Sequence, residues 1–263
     1  MNKNNIEKGI DAYYGYISKE EDIQKHIMEY ISERINANKD SIEKLVNITK
    51  EKIDMKIVNR ILKKESKYKV KKTFAIDQAG FVRGALVVPK GLILKEESDI
   101  EKVIELYVDA ILSRNALVIS DIEYLDVSVK KFILEIMQIA LEKFEVDKNL
   151  IQLLPYEEIN DKEFNEYKEN NKIYIYLENK DFENVVDKKY LIEGEIDEII
   201  EKINKEGICK CAVIYTKDKD KAYKFINRVN GKNVFVNASI ENIEEDIEID
   251  DWYINKNVIY PTK

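Results

Sequence analysis

Residues 86–120 read LVVPKGLILKEESDIEKVIELYVDAILSRNALVIS. Two apolar runs, Leu86–Lys95 and Ala116–Ser120, flank a stretch from Asp99 to Leu112 whose apolar residues recur at helical spacing. A strand, a helix and a second strand of these lengths make a βαβ unit, in which the helix carries the chain back so that the strands lie parallel. The rhythm continues outward: a helix is expected over Val127–Phe144 and a strand over Leu150–Leu154. It then repeats as a strand at Lys172–Leu177, an extended piece at Tyr190–Ile192, a helix over Ile196–Lys205, a strand over Ala212–Thr216, a helix over Lys219–Val229 and a strand over Asn233–Asn237. The expected class is α/β, with a Rossmann-like, mostly parallel sheet and a reduced second α/β subdomain.

Toward the N-terminus, Ile23, Ile27, Ile31 and Ile35 fall at helical spacing, as do Ile42, Leu45, Val46, Thr49 and Ile53, then Ile57, Ile61 and Leu62. Ser18 with Glu21 three residues later has the spacing of a capping box, and Ser41 precedes the second run with Lys44 in place of the acid. Between 70 and 87 the period changes to two. Val70, Phe74 and Ile76, then Asp77-Gln78-Ala79-Gly80, then Phe81, Val82, Ala85 and Val87 read as a hairpin. The acidic segment 241–251, with seven acids in eleven residues, precedes a last extended run, Trp252–Tyr260. It lacks the spacing of a calcium loop and reads as a solvated tether.

The chain has 263 residues, 43 Lys plus Arg against 51 Asp plus Glu, and a formal net charge of −8 with the two signs interleaved, a pattern that argues against general nucleic-acid binding. No apolar run approaches the ~20 residues that span a bilayer, and the N-terminus has no signal-like segment, so a soluble cytoplasmic protein without membrane partners is expected. Only 8 Gly are present, and neither G-x-G-x-x-G nor G-x-x-x-x-G-K-[ST] occurs.

Several segments, in order, resemble glutamate-5-semialdehyde dehydrogenase (gamma-glutamyl phosphate reductase) of the aldehyde dehydrogenase superfamily. Met55–Leu62 is similar to an early helix of that family, Val88-Pro89-Lys90-Gly91 to its V-P-x-G turn, and Ser113–Ile119 to S-G-N-A-V-I. Ile203-Asn204 with Gly207 resembles I-N-x-x-G, Ala212–Asp218 resembles A-I-V-T-x-D, and Val234–Ser239 resembles V-Y-V-N-A-S. The resemblance implies an aldehyde-dehydrogenase-like fold: N-terminal helices over 1–70 with a dinucleotide-binding-like α/β domain over 86–180, oligomerisation strands at 71–85 and 250–263, and a remnant of the catalytic-type domain over 187–240. It also implies a homodimer in which the hairpin and the final strand pair with the partner, with a full-length enzyme of the superfamily as a further partner. Unpaired strand edges are a liability that such a contact would cover.

The departures bear on function. The resembled family carries its cysteine nucleophile between the dinucleotide-binding half and the I-N-x-x-G helix; here that interval shrinks to about Tyr156–Tyr190 and holds no cysteine. After S-G-N-A-V-I the family continues with a basic residue, two glycines and Ser-Glu, whereas this chain has Ser120-Asp121-Ile122-Glu123-Tyr124. Asp121 and Glu123 would repel a ribose phosphate, and Ile122 and Tyr124 would block the close approach glycine permits. A second glycine pair, expected after the strand at Ile173–Leu177, is replaced by Glu178-Asn179-Lys180. No cofactor is therefore expected, with NAD(P) at an altered site as the alternative.

Cys209 and Cys211 are the only cysteines and hence the only candidate nucleophiles; Lys210 and Lys217 nearby would lower a thiol pKa. Packing offers the other reading, since strand geometry would put both on one buried face. They give no zinc set, because the remaining soft donor, His26, is remote in sequence and sits at the edge of an apolar helical stripe. Tyr13, Tyr14, Tyr16, Tyr174 and Tyr176 suit either an interaction surface or ordinary half-buried packing. The expectation is a non-catalytic aldehyde-dehydrogenase-like protein acting as a binding or structural partner. The alternative is an NAD(P)-dependent glutamate-5-semialdehyde dehydrogenase-like oxidoreductase with an altered site.

Overall fold

Short polar side chains that accept backbone amides start most of the helices. Asn4 accepts from Glu7 N at the head of α1 (Asn5–Ile17), Asp54 from Lys56 N at α4 (Met55–Ile61), Asp99 from Lys102 N at α5 (Ile100–Ser113) and Ser128 from Lys131 N at α6 (Val129–Lys143). Between the first two lie α2 (Ile23–Ala37) and α3 (Lys39–Thr49). The computed structural model describes residues 4–20, 22–65, 72–76, 81–156, 172–178, 187–243 and 252–261. Two expectations about caps fail. Ser18 closes α1, its Oγ donating to Gly15 O, because the chain N-terminal to it is already helical; Ser41 lies inside α3. Glu21, the other half of the expected capping box, lies outside the described residues.

The chain divides into two units, Met1–Tyr68 with Gly91–Phe164 and Lys69–Lys90 with Asn165–Lys263. In the first, strands β3 (Leu92–Glu96), β4 (Ala116–Asp121) and β5 (Ile151–Pro155) form a parallel sheet in sequence order, with Leu92 opposite Ala116 and Leu117 opposite Ile151. Every residue of β4 is buried. The apolar stripes of α5 and α6, including Ile104, Tyr107, Ile111, Ile133, Met137 and Leu141, are buried as well. On α1, Tyr16 is fully buried and its hydroxyl donates to Ile111 O at 2.9 Å.

In the second unit a seven-stranded sheet runs β1-β2-β10-β9-β8-β6-β7. The strands are β1 (Lys72–Ile76), β2 (Phe81–Pro89), β6 (Ile173–Leu177), β7 (Leu191–Ile192), β8 (Cys209–Tyr215), β9 (Gly231–Val236) and β10 (Tyr253–Pro261). The helices are α7 (Ile196–Lys205) and α8 (Lys219–Arg228). β1, β2 and β10 are antiparallel, and from β10 to β7 the pairing is parallel.

This arrangement revises the expected layout in three places. The run Leu86–Lys95 is two strands, not one: Gly91, at φ 104, turns the chain, and β2 and β3 lie in different sheets. Positive φ is a conformation glycine takes without steric penalty. The strand Ile173–Leu177 belongs to the seven-stranded sheet, pairing with β8 and β7, so it is not part of the dinucleotide-binding-like domain. The terminal strand β10 is an interior strand, paired over nine residues with β2 and at Asn257, Val258 and Ile259 with β9. Both of its edges are thus engaged within the chain, and the outer edges of β1 and β7 end the sheet. The expected hairpin turn at 77–80, most of the 156–190 interval and most of the acidic tether lie outside the described residues.

Candidate functional site

Ligands of parallel α/β sheets settle beyond the carboxyl ends of the strands, where helix amino termini converge. In the first unit that position holds a cavity of about 480 Å³, lined by residues that include Glu51, Ser98, Ile100, Glu123, Tyr124 and Lys130. Lys130, in the first turn of α6, is 3% exposed, and its Nζ lies 2.5 Å from Asp121 Oδ2 and donates to Ser98 O at 3.1 Å. Asp121 ends β4, with its side chain fully enclosed, and its other oxygen accepts the Glu123 amide at 3.0 Å. The Tyr107 hydroxyl has no hydrogen-bond partner among the described residues. Burial, then the charges of Asp121 and Tyr124, push its pKa well above the usual phenol value. On the rim, Lys131 donates to the Tyr124 hydroxyl at 3.1 Å.

The amino end of α6 is already occupied. Ser128 Oγ accepts from Lys131 N, and Glu51, arriving from the segment after α3, accepts from Val129 N at 2.7 Å and from Thr49 Oγ1 at 2.9 Å. A carboxylate there is favourably placed against the helix dipole and takes one of the amides that an anionic ligand would need.

Of the strand-end residues singled out from sequence, Ser120 and Asp121 are buried at the end of β4 and Glu123 is exposed on the rim. The repulsion expected from Asp121 does not reach the cavity as a free charge, because Lys130 neutralises it. That cation was missed in the sequence. Its signal is helical spacing, since Lys130 shares a stripe with Leu134, Met137 and Leu141, all buried.

Both cysteines are 0% exposed on β8, yet they face opposite sides of the sheet. Cys209 joins the cluster of Ala212, Ile214 and Phe225, and Cys211 joins that of Val213, Tyr215 and Phe235. The expectation of a shared face fails because the amides of Lys210 and Cys211 both donate to Lys172 O, at 3.0 and 3.4 Å, the pattern of a β-bulge that inserts a residue and reverses the alternation. Burial pushes the Cys209 thiol up to about 12, outweighing the attraction of Lys256, and pushes Cys211 still higher against Lys210. The neighbouring lysines therefore do not produce the lowered pKa that the sequence suggested.

At the carboxyl end of the second sheet, Glu178 accepts from Thr216 Oγ1 and Lys221 Nζ. Burial would raise the Glu178 carboxyl, but those two hydrogen bonds overcome it and hold the group below the usual carboxylate range. Glu178 follows β6 and so stands in the second unit; Asn179 and Lys180 lie outside the described residues. His26 is on the surface, its ring stacked on Phe144 at 6.5 Å with Asp22 and Glu29 each 3.9 Å away. Among the described residues no group of three or more His, Cys, Asp or Glu is placed to hold a metal, and no helix is long and apolar enough to cross a membrane.

No protein-family model and no curated protein matches the chain. Solved structures do. Gamma-glutamyl phosphate reductase from Thermotoga maritima superposes with a TM-score of 0.52 at 12% identity, covering 97% of each chain. The enzyme of the same description from Saccharomyces cerevisiae gives 0.51 at 13%, covering 98% of this chain and 96% of that one. The chain has the fold of gamma-glutamyl phosphate reductase. It is thus an aldehyde-dehydrogenase-like α/β fold, as the collinear segments implied. The reductase-like fold here carries its two cysteines inside a strand and its paired Lys130–Asp121 at the end of another.

Proposed function

We propose that this chain is a non-catalytic protein of aldehyde-dehydrogenase fold that acts by binding, as a homodimer or as the partner of a full-length enzyme of that superfamily. The observation that carries the reading is the state of its only two cysteines, both wholly buried with thiols held protonated. Reduction of an acyl phosphate or oxidation of an aldehyde through a covalent adduct needs an accessible thiolate. The first cavity supports the same reading: Glu51 and Ser128 occupy the head of α6, and the chain's own Asp121 consumes the charge of Lys130. No NADP or NAD binding below about millimolar is expected, since a thousandfold loss needs only about 4 kcal/mol.

NADPH-linked turnover and calorimetry with both nucleotides test this. Turnover lost in Cys209→Ser or Cys211→Ser, or a micromolar dissociation constant weakened by changes at Ser120 or Glu123, would install the altered-site oxidoreductase instead.

The dimer contact we place on the outer edge of β1, because β10 is enclosed and because Phe74 and Ile76 on β1 are 44% and 70% exposed. Sedimentation should find a dimer that Ile76→Lys dissociates. A wild-type monomer at high micromolar concentration would sink the proposal.

A further inference from the structure

Lys256 lies on β10 between Ile254 and Val258 on one face of the strand, opposite Leu86 of β2, and is 3% exposed. Its Nζ donates to Ile226 O and, at 2.7 Å, to Val229 O, carbonyls at the C-terminal end of α8. An uncharged amine has two N–H groups and an ammonium three. Two acceptors therefore satisfy both N–H groups of the amine, whereas a third N–H would be left facing an apolar cluster that includes Leu86, Phe225, Val234 and Val258. A buried donor without a partner is disfavoured, and a buried unpaired charge more so.

Among the described residues, the titratable groups around it supply no counter-charge. From β8 comes Cys209, whose thiol is uncharged at neutral pH. Beyond it Glu206, after α7, is hydrogen-bonded to Lys172 and Tyr174. On α8, Lys224 and Arg228 pair with Asp197 of α7, and β2 and β9 contribute Leu86 and Val234.

We propose that Lys256 is a proton-sensitive latch for the terminal strand: β10 docks against α8 with the amine uncharged, and protonation loosens it. Burial, opposed by Cys209, pushes this amine down to about 7, while an unfolded lysine keeps its proton to about 10.4. The unfolded chain then binds one more proton between these values, so stability rises with pH across the window. The latch is weakest below about pH 7 and firm above it.

The full chain can be unfolded in urea between pH 6.5 and 9 beside Lys256→Met. Relative to that variant, the wild-type folding constant should rise by up to about tenfold per pH unit above 7, one proton's worth. Hydrogen exchange in 253–261 should slow in step, after correction for the intrinsic rate. Equal pH slopes in the two proteins would overturn the latch. If Lys256→Met does not fold, a lysine side-chain NMR titration of the wild type decides alone: one resonance moving near neutral pH supports it, and all lysines titrating near 10 refutes it.

Discussion

Lys130 and Lys256 are each 3% exposed, one in each unit, and the chain handles their charges in opposite ways. Lys130 has a carboxylate at 2.5 Å and a carbonyl besides, so its charge is matched where it stands. Lys256 has two carbonyls and a protonated thiol nearby, so the economical state is the uncharged one. Burial alone therefore does not fix what a lysine does; the number and charge of its acceptors do. One consequence is that the second lysine's contribution should depend on pH near neutrality.

The sharpest way to break this contrast is to remove one partner of the matched pair. Asp121→Ala leaves a buried ammonium without its counter-ion and should cost about 3–5 kcal/mol. Replacing both residues together, as Lys130→Met with Asp121→Leu, should recover most of that loss, because two apolar side chains of similar size remove the charge and its desolvation at once. Urea denaturation of the two variants checks both values. A double variant as unstable as Asp121→Ala would mean that the residues matter for their shapes and not for their pairing.

A smaller effect is expected beside Lys256. A Cβ placed on Gly231 would lie 2.9 Å from Cys209 Sγ and 3.2 Å from Val234 Cγ2. Gly231→Ala should therefore overpack the neighbourhood of the bulge and cost about 1–3 kcal/mol. Combining it with Cys209→Ala should relieve much of that cost, since the sulfur is the nearer obstacle. If the double variant is no more stable than the single one, Val234 and not the thiol sets the limit.

Local pattern made much of this structure legible in the sequence. The stripe of Ile196, Ile199, Ile200 and Ile203 marks α7 at the bounds expected, and Asp99–Leu112 nearly those of α5. Sheet membership was not legible, because pairing depends on residues far apart in the chain: Ile173–Leu177 reads as a strand in any sheet. The opposed cysteines were hidden for a related reason, since a bulge exists only when two successive amides meet one carbonyl, here that of Lys172. Lys256 was more accessible, as it alternates with Ile254 and Val258 in the final extended run, a polar residue in an apolar register. Glu51 left no mark, because its target, Val129 N, lies 78 residues away.

Glu51 gives the smallest and most discriminating test of how the first unit manages charge. Its carboxylate serves the head of α6 in two ways, as an acceptor for Val129 N and as a negative charge at the positive end of the helix dipole. Glu51→Gln keeps an acceptor of similar reach and removes the charge, so it should lose only about 0.3–1 kcal/mol, a loss that salt reduces. Glu51→Ala removes both and should cost about 1–2 kcal/mol, the range of a lost helix cap. The single O–H of Thr49 would lose the carboxylate at 2.9 Å but has Leu45 O at 3.0 Å as an alternative acceptor, so little of the difference should come from there. Thermal unfolding of both variants at low and high salt separates the contributions. If Glu51→Gln is as damaging as Glu51→Ala, the charge carries the interaction; if Glu51→Gln matches the wild type at every salt concentration, the hydrogen bond alone does.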